Sequence, residues 1–196
     1  MTEVQHIRCV ACGEATPTHD IITIGGIDEG DRQICSRCFN AEVAGLHDLQ
    51  DFENVRLEPI GLVDCAGERH VFHFRTQLLG HIVALDAFEL HEGVPSGYQC
   101  QMIGDPEDDL LGLLGRLVEK LRRMLSVKHL TSEDPEPQIA AQTVRGRIDW
   151  DDSAVERTPL LVIDGREISW DEFGRMLMAF EGWQFKLEIV DRSDEA

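Results

Sequence analysis

Basic residues are scarce in this chain: 18 Lys and Arg stand against 37 Asp and Glu, a formal net charge of -19. Excess acid repels phosphate backbones, so nucleic acid is not expected as a partner. The acidity suits solubility, with docking onto a basic protein surface as its other use. Long apolar runs are also missing. None approaches the ~20 residues of a membrane span, so no membrane partner is expected either. The opening MTEVQHIRCVACG has none of the basic-then-apolar profile of a secretory signal, and a cytoplasmic location is the expectation. G-x-S-x-G, H-E-x-x-H, G-x-G-x-x-G and P-loop patterns are absent as well, which argues against an enzyme.

What is present begins with cysteine. Four of the six, Cys9, Cys12, Cys35 and Cys38, form two C-x-x-C pairs within one short segment. Zinc, an iron-sulfur site, redox disulfides and accident are the alternatives. Two cysteines separated by two residues can place both sulfurs on one ion, and two such pairs complete a tetrahedron. Gly13 permits a tight turn whose amides point at the sulfurs, and Arg8 and Arg37 can offset thiolate charge. A reducing compartment disfavours structural disulfides. Structural Zn2+ held by these four cysteines is therefore expected, its role being to fold a segment too small for a core.

Between the pairs, IITIGG and DRQI read as two short strands joined by the turn-rich IDEGD. The second pair opens the helix-compatible CFNAEVAGLHDL, where the positive end of the helix dipole favours thiolates. Knuckle, hairpin, helix is the order of a treble clef. With C-x-x-C-G at Cys9 to Gly13 and I-C-x-x-C at Ile34 to Cys38, the stretch resembles the treble-clef zinc-binding domain at the N-terminus of the ClpX unfoldase. In that family the module dimerises and docks substrates or adaptors, so the resemblance implies a protein partner and leaves a homodimer open. ATPase activity is not implied, because no Walker-type loop follows.

The fold class expected is α+β: a treble-clef zinc module over residues 1–48, then a mainly antiparallel sheet packed with helices. Residues 52–130 should supply antiparallel strands plus an amphipathic helix. VRLEPIGLVDCAG, RHVFHFRTQLLG, HIVALDAFELHEG and GYQCQMIG are the strands of a meander punctuated by Gly67, Gly80 and Gly93. The helix should start at Asp105 as N-cap with Pro106 first. Leu110, Leu113, Leu114, Leu117, Leu121, Met124 and Leu125 lie on its apolar side, with Arg116, Lys120 and Arg123 toward the other. Gly112 and Gly115 are expected to allow close approach to the sheet.

Thr131 to Gln138, TSEDPEPQ, reads as a linker. Residues 139–192 should form strand, hairpin, helix and strand, possibly completing the same body. The strand is TVRGRIDWD, the hairpin turns at Asp164-Gly165, Ser169 and Glu172 form a capping box, and QFKLEIVD closes the segment. The acidic tail RSDEA is expected to fray. VIDGREISWDEFGRMLMAFEGWQFKLEI is similar to part of an uncharacterised bacterial protein family with no associated activity.

Other candidate residues favour structure over chemistry. His70 and His73, three apart on a strand, should face opposite sides and not share an ion, and His81 and His91 are further away. Cys65 and Cys100 are expected to be buried small apolar residues. Trp150, Trp170 and Trp183, with Phe173, Phe180 and Phe185, are expected in the core; on a surface they would mark an interface. The expected function is a zinc-stabilised, non-catalytic protein-binding or adaptor protein. Two alternatives remain: an enzyme using His70, His73 or Cys65, and a nucleic-acid regulator with a basic face at Arg8, Arg32 and Arg37.

Overall fold

A computed structural model describes residues 5–25, 30–49, 52, 54–131, 137–153 and 157–194. It is a mixed α+β protein whose described residues form three α-helices and antiparallel sheets. The N-terminal segment is built from two small hairpins and a helix. Strands β1 (His6–Arg8) and β2 (Ala15–Pro17) flank the first cysteine pair, and β3 (Ile21–Ile24) pairs with β4 (Arg32–Cys35). Helix α1 (Ser36–Leu46) follows immediately, with Cys35 as its N-cap residue. The knuckle, hairpin and helix thus occur in the order expected; most of the hairpin turn, residues 26–29, lies outside the described residues.

The central sheet is a four-stranded meander, β5 (Ile60–Val63), β6 (Arg69–Leu79), β7 (Ile82–His91) and β8 (Val94–Gly104), each antiparallel to the next. The glycine-marked turns fall where the sequence placed them. Strand alternation sends Val83, Leu85 and Ala87 to one face, where helix α2 (Leu110–Leu125) covers them with Leu110, Leu113, Leu117, Leu121 and Leu125. This is the main core.

Three expectations about α2 are corrected. Its N-cap is Asp109, not Asp105: the Asp109 carboxylate accepts from the amides of Leu111 and Gly112, while Asp105 accepts from Glu107 in a preceding turn. Gly112 and Gly115 do not admit the sheet; the close approach is made by Gly104, where a Cβ would stand 3.1 Å from Leu113. Lys120 is buried, not solvated. Its ammonium donates to the carbonyls of Gln101, Arg192 and Asp194, clamping residues 192–194 of a tail expected to fray.

The last third forms a second, smaller core. Strands β9 (Arg147–Trp150), β10 (Pro159–Ile163) and β11 (Arg166–Ser169) make an antiparallel sheet in the order β11-β10-β9. Helix α3 (Trp170–Leu177) packs Met176 and Phe173 with Leu130, Ile163 and Ile168. The Asp164-Gly165 turn has φ of 52° and 76°, the two left-handed residues that a tight hairpin matching strand twist requires. Ser169 and Glu172 form the expected capping box. Asp164 also accepts from the amides of His129 and Leu130, tying this sheet to the end of α2.

Of the segment read as a linker, residues 132–136 lie outside the described residues. Its flanks are held side by side, with Thr131 donating to the Gln138 carbonyl and Leu130 bridging Ile139. The closing strand expected at QFKLEIVD does not form. Residues 183–190 carry no strand assignment, and Phe185, Leu187 and Ile189 are 90%, 73% and 72% exposed. Trp150, Trp170 and Trp183 are exposed too, against the expectation of a core. Of that aromatic group Phe173 packs into it.

Candidate metal centre

The sulfurs of Cys9, Cys12, Cys35 and Cys38 all lie within 4.8 Å of one another. Cys12 and Cys35 stand 4.0 Å apart, and all six cysteines of the chain are free thiols. That spacing is too long for a disulfide. It matches the edge of a tetrahedron, about 3.8 Å when metal–sulfur bonds are about 2.3 Å. Each pair is placed by its local chain. The β1–β2 hairpin presents Cys9 and Cys12 across a turn closed by the Gly13 amide on the Cys9 carbonyl. The end of β4 and the first turn of α1 present Cys35 and Cys38.

The electrostatics of the four thiols suit a cation. Burial pushes the Cys9 thiol up, but backbone amides of Cys12, Cys35 and Ala11 outweigh it and bring it down to about 6. The Cys35 amide donates to the Cys9 sulfur at 3.3 Å. Burial raises Cys35 and Cys38, and hydrogen bonding with neighbouring cysteines raises Cys38 further. One thiolate is thus welcome among these residues and further ones are opposed until a positive ion joins them, as a metal does. The donor set is all sulfur, which selects soft or borderline ions over hard oxygen-seeking ones.

Three family models match in succession, each described as a domain of unknown function. DUF7685 covers residues 8–50, DUF7686 residues 53–126 and DUF7713 residues 129–194. No curated protein and no solved structure matches the chain. The DUF7685 match holds all four cysteines, the DUF7686 match the meander and α2, and the DUF7713 match the β9–β11 sheet with α3. No described helix is long and apolar enough to cross a membrane.

The histidines behave as strand geometry predicts. His70 and His73 lie on opposite faces of β6 and are not brought together. His70 is buried, with Nδ1 2.9 Å from Glu89 and Nε2 3.4 Å from Asp64. The Lys128 ammonium sits 2.6 Å from the same Asp64 oxygen. The Lys128 hydrogen bond, joined by the Glu68 amide and His70 and working against burial, holds the Asp64 carboxyl well below the usual carboxylate range. Asp64, Glu68 and His70 are close enough to share an ion. The lysine already supplies the cation there, so the group is read as a buried ion-pair network. No sequence signal marked it, because its members are scattered over β5, β6, β7 and the end of α2.

On the other face His73 stacks on Phe88 and meets His19 at 5.6 Å between ring centres. Burial lowers both imidazoles, and the neighbouring His73 lowers His19 further. His81 meets His47 edge-on at 4.8 Å. Cys100 is buried as expected, its thiol pushed up to about 12 by burial, and inert. Cys65 is exposed, against expectation. Arg32 pairs with Glu42, while Arg8 donates to the neutral Gly13 carbonyl.

Proposed function

We propose that the chain is a zinc-stabilised, non-catalytic protein-binding or adaptor protein of a bacterial cytoplasm. Zinc is preferred for the four sulfurs because it is tetrahedral, lacks redox chemistry and commonly closes all-thiolate structural sites. All four positions would be taken by protein, leaving none for a substrate. A reducing compartment suits six free thiols.

The observation that carries the binding role is the run Trp183–Val190. Its apolar side chains alternate with Lys186 and Glu188, the period of a strand, yet among the described residues no strand pairs with it and its apolar side chains face solvent. It is held at both ends: the Trp183 amide donates to Phe180, and Lys120 grips Arg192 and Asp194. An extended, tethered, apolar segment supplies backbone hydrogen bonds for affinity and alternate side chains for specificity when it adds to a sheet edge.

The test is co-purification from the native host with wild type and with a Phe185→Glu, Leu187→Glu, Ile189→Glu triple variant, followed by native mass spectrometry. A stoichiometric protein held by wild type and lost from the variant, with unchanged circular dichroism, is the expected result. Retention of the same protein by the variant, or turnover of a substrate by the purified chain, overturns it.

A further inference from the structure

The meander leaves one strand edge unfinished. β5 pairs with β6 only from Arg69 to Phe72, so from His73 onward the outer edge of β6 has no strand beside it among the described residues. The Asn40 side chain closes that edge further along, at Thr76 and Leu78. Between these two closures the chain at 54–59 leaves the sheet, and a cleft of about 420 Å³ opens among it, the cysteine-bearing module and β6. That volume lies within the range of small-molecule sites.

The lining reverses the sign of the molecule. Arg37, Arg56 and Arg75 face it against Asp20 and Glu58, with buried Asp86 pairing Arg75 from behind, where the whole chain holds 18 basic and 37 acidic residues. Asp20 is partly spent, accepting from the Ser36 hydroxyl at 2.6 Å and lying 3.7 Å from Arg56. Two nitrogens in the wall, His19 Nδ1 and Arg75 Nε, are buried without a hydrogen-bonding partner. Arg75 Nε can only donate, and His19 Nδ1 donates in one tautomer. Leaving such a donor buried and unpaired is unfavourable. Arg75 Nε therefore calls for an acceptor, and His19 Nδ1 calls for one too in the tautomer that protonates it. Guanidinium groups match the oxygens of phosphate and carboxylate, and a half-enclosed site strengthens the contact.

We propose that this cleft binds a small ligand bearing an oxyanion, a phosphate ester or a carboxylate, engaged by Arg56 and Arg75 beside His19 and His73. The ligand would bridge the metal-bearing module and the sheet, since His19 comes from the first and Arg75 and His73 from the second.

The test uses the full-length, metal-loaded protein. Calorimetry and histidine-ring NMR follow titration with inorganic phosphate, ribose 5-phosphate and citrate at fixed ionic strength, with chloride as control. Saturable one-to-one binding of at least one probe is expected, with the His19 and His73 ring signals displaced. The ribose 5-phosphate and citrate arms separate phosphate ester from carboxylate. Arg56→Gln should weaken binding about tenfold, the effect of one charge-assisted hydrogen bond. Arg75→Gln should do the same. Arg122→Gln, on α2 and paired with Glu119, should not. Arg75 also pairs with the buried Asp86, so circular dichroism accompanies that variant; if it fails to fold, the exposed Arg56 decides alone. A response that never saturates, that chloride reproduces, or that Arg56→Gln leaves intact overturns the proposal.

Discussion

The amide side chain of Asn40 helps to join the four-cysteine module to the central sheet. Asn40 is buried on α1; its Nδ2 donates to the Thr76 carbonyl at 2.9 Å, and its Oδ1 accepts from the Leu78 amide at 2.8 Å. It therefore plays the part of a paired strand residue along the bare edge of β6. Replacing it with alanine leaves a buried donor and a buried acceptor unsatisfied. Asn40→Ala should lower stability by about 2 kcal/mol in urea titration. Asn40→Asp should not rescue it, because a carboxylate can accept from Leu78 but cannot donate to Thr76. Full rescue by aspartate would show that space filling, not the paired hydrogen bonds, is what matters here.

Helix α2 shows how an element can be recognised correctly and begun in the wrong place. The leucine spacing predicts its buried face, and that face is the one packed on the sheet. Two acidic residues compete for its start, and the sequence favours Asp105 because a proline follows. In the fold, Pro106 belongs to a turn that carries the chain off β8, and Asp109 caps the first free amides. Asp109→Ala should cost about 1 kcal/mol, as N-cap losses do. Asp105→Ala, at an exposed turn, should stay within about 0.5 kcal/mol. Chemical denaturation of the two variants gives the ranking, and the reverse order would remove Asp109 as the cap.

Across the whole molecule, stability is unevenly distributed. The sheet and α2 share a core of many fully buried side chains, whereas the buried cluster around the four cysteines contains only Cys9, Ile34 and Cys35. Two-stranded hairpins with so little core need a staple, which a metal held by the four cysteines would supply. Protein purified without chelator should carry about one zinc per chain. In that state a thiol reagent should label Cys65 alone; after chelation it should label five cysteines, with Cys100 still protected by burial. Far-ultraviolet signal from the meander and α2 should largely survive. Rapid labelling of Cys9 or Cys35 in the loaded protein, or an absence of stoichiometric metal, would dissolve the metal centre.

Sequence alone determined the features that depend on neighbours along the chain. Ligand spacing within each C-x-x-C pair, the left-handed pair Asp164-Gly165, the Ser169–Glu172 box and the alternation of the meander are all local. Their geometry follows from a few adjacent dihedral angles. Tertiary structure decided whatever needs a partner from elsewhere. Alternation in QFKLEIVD says which side chains could share a face, but a strand also needs a partner strand, and none of the described strands pairs with it. Helical period puts Lys120 among the charged positions, but the carbonyls of Gln101, Arg192 and Asp194 draw it inward. The candidate metal site was legible because its two halves are each short-range. The basic cleft was not: His19, Arg56 and Arg75 meet only because β5 begins as late as Ile60, opposite Phe72, and α1 docks on the edge of β6 beyond it.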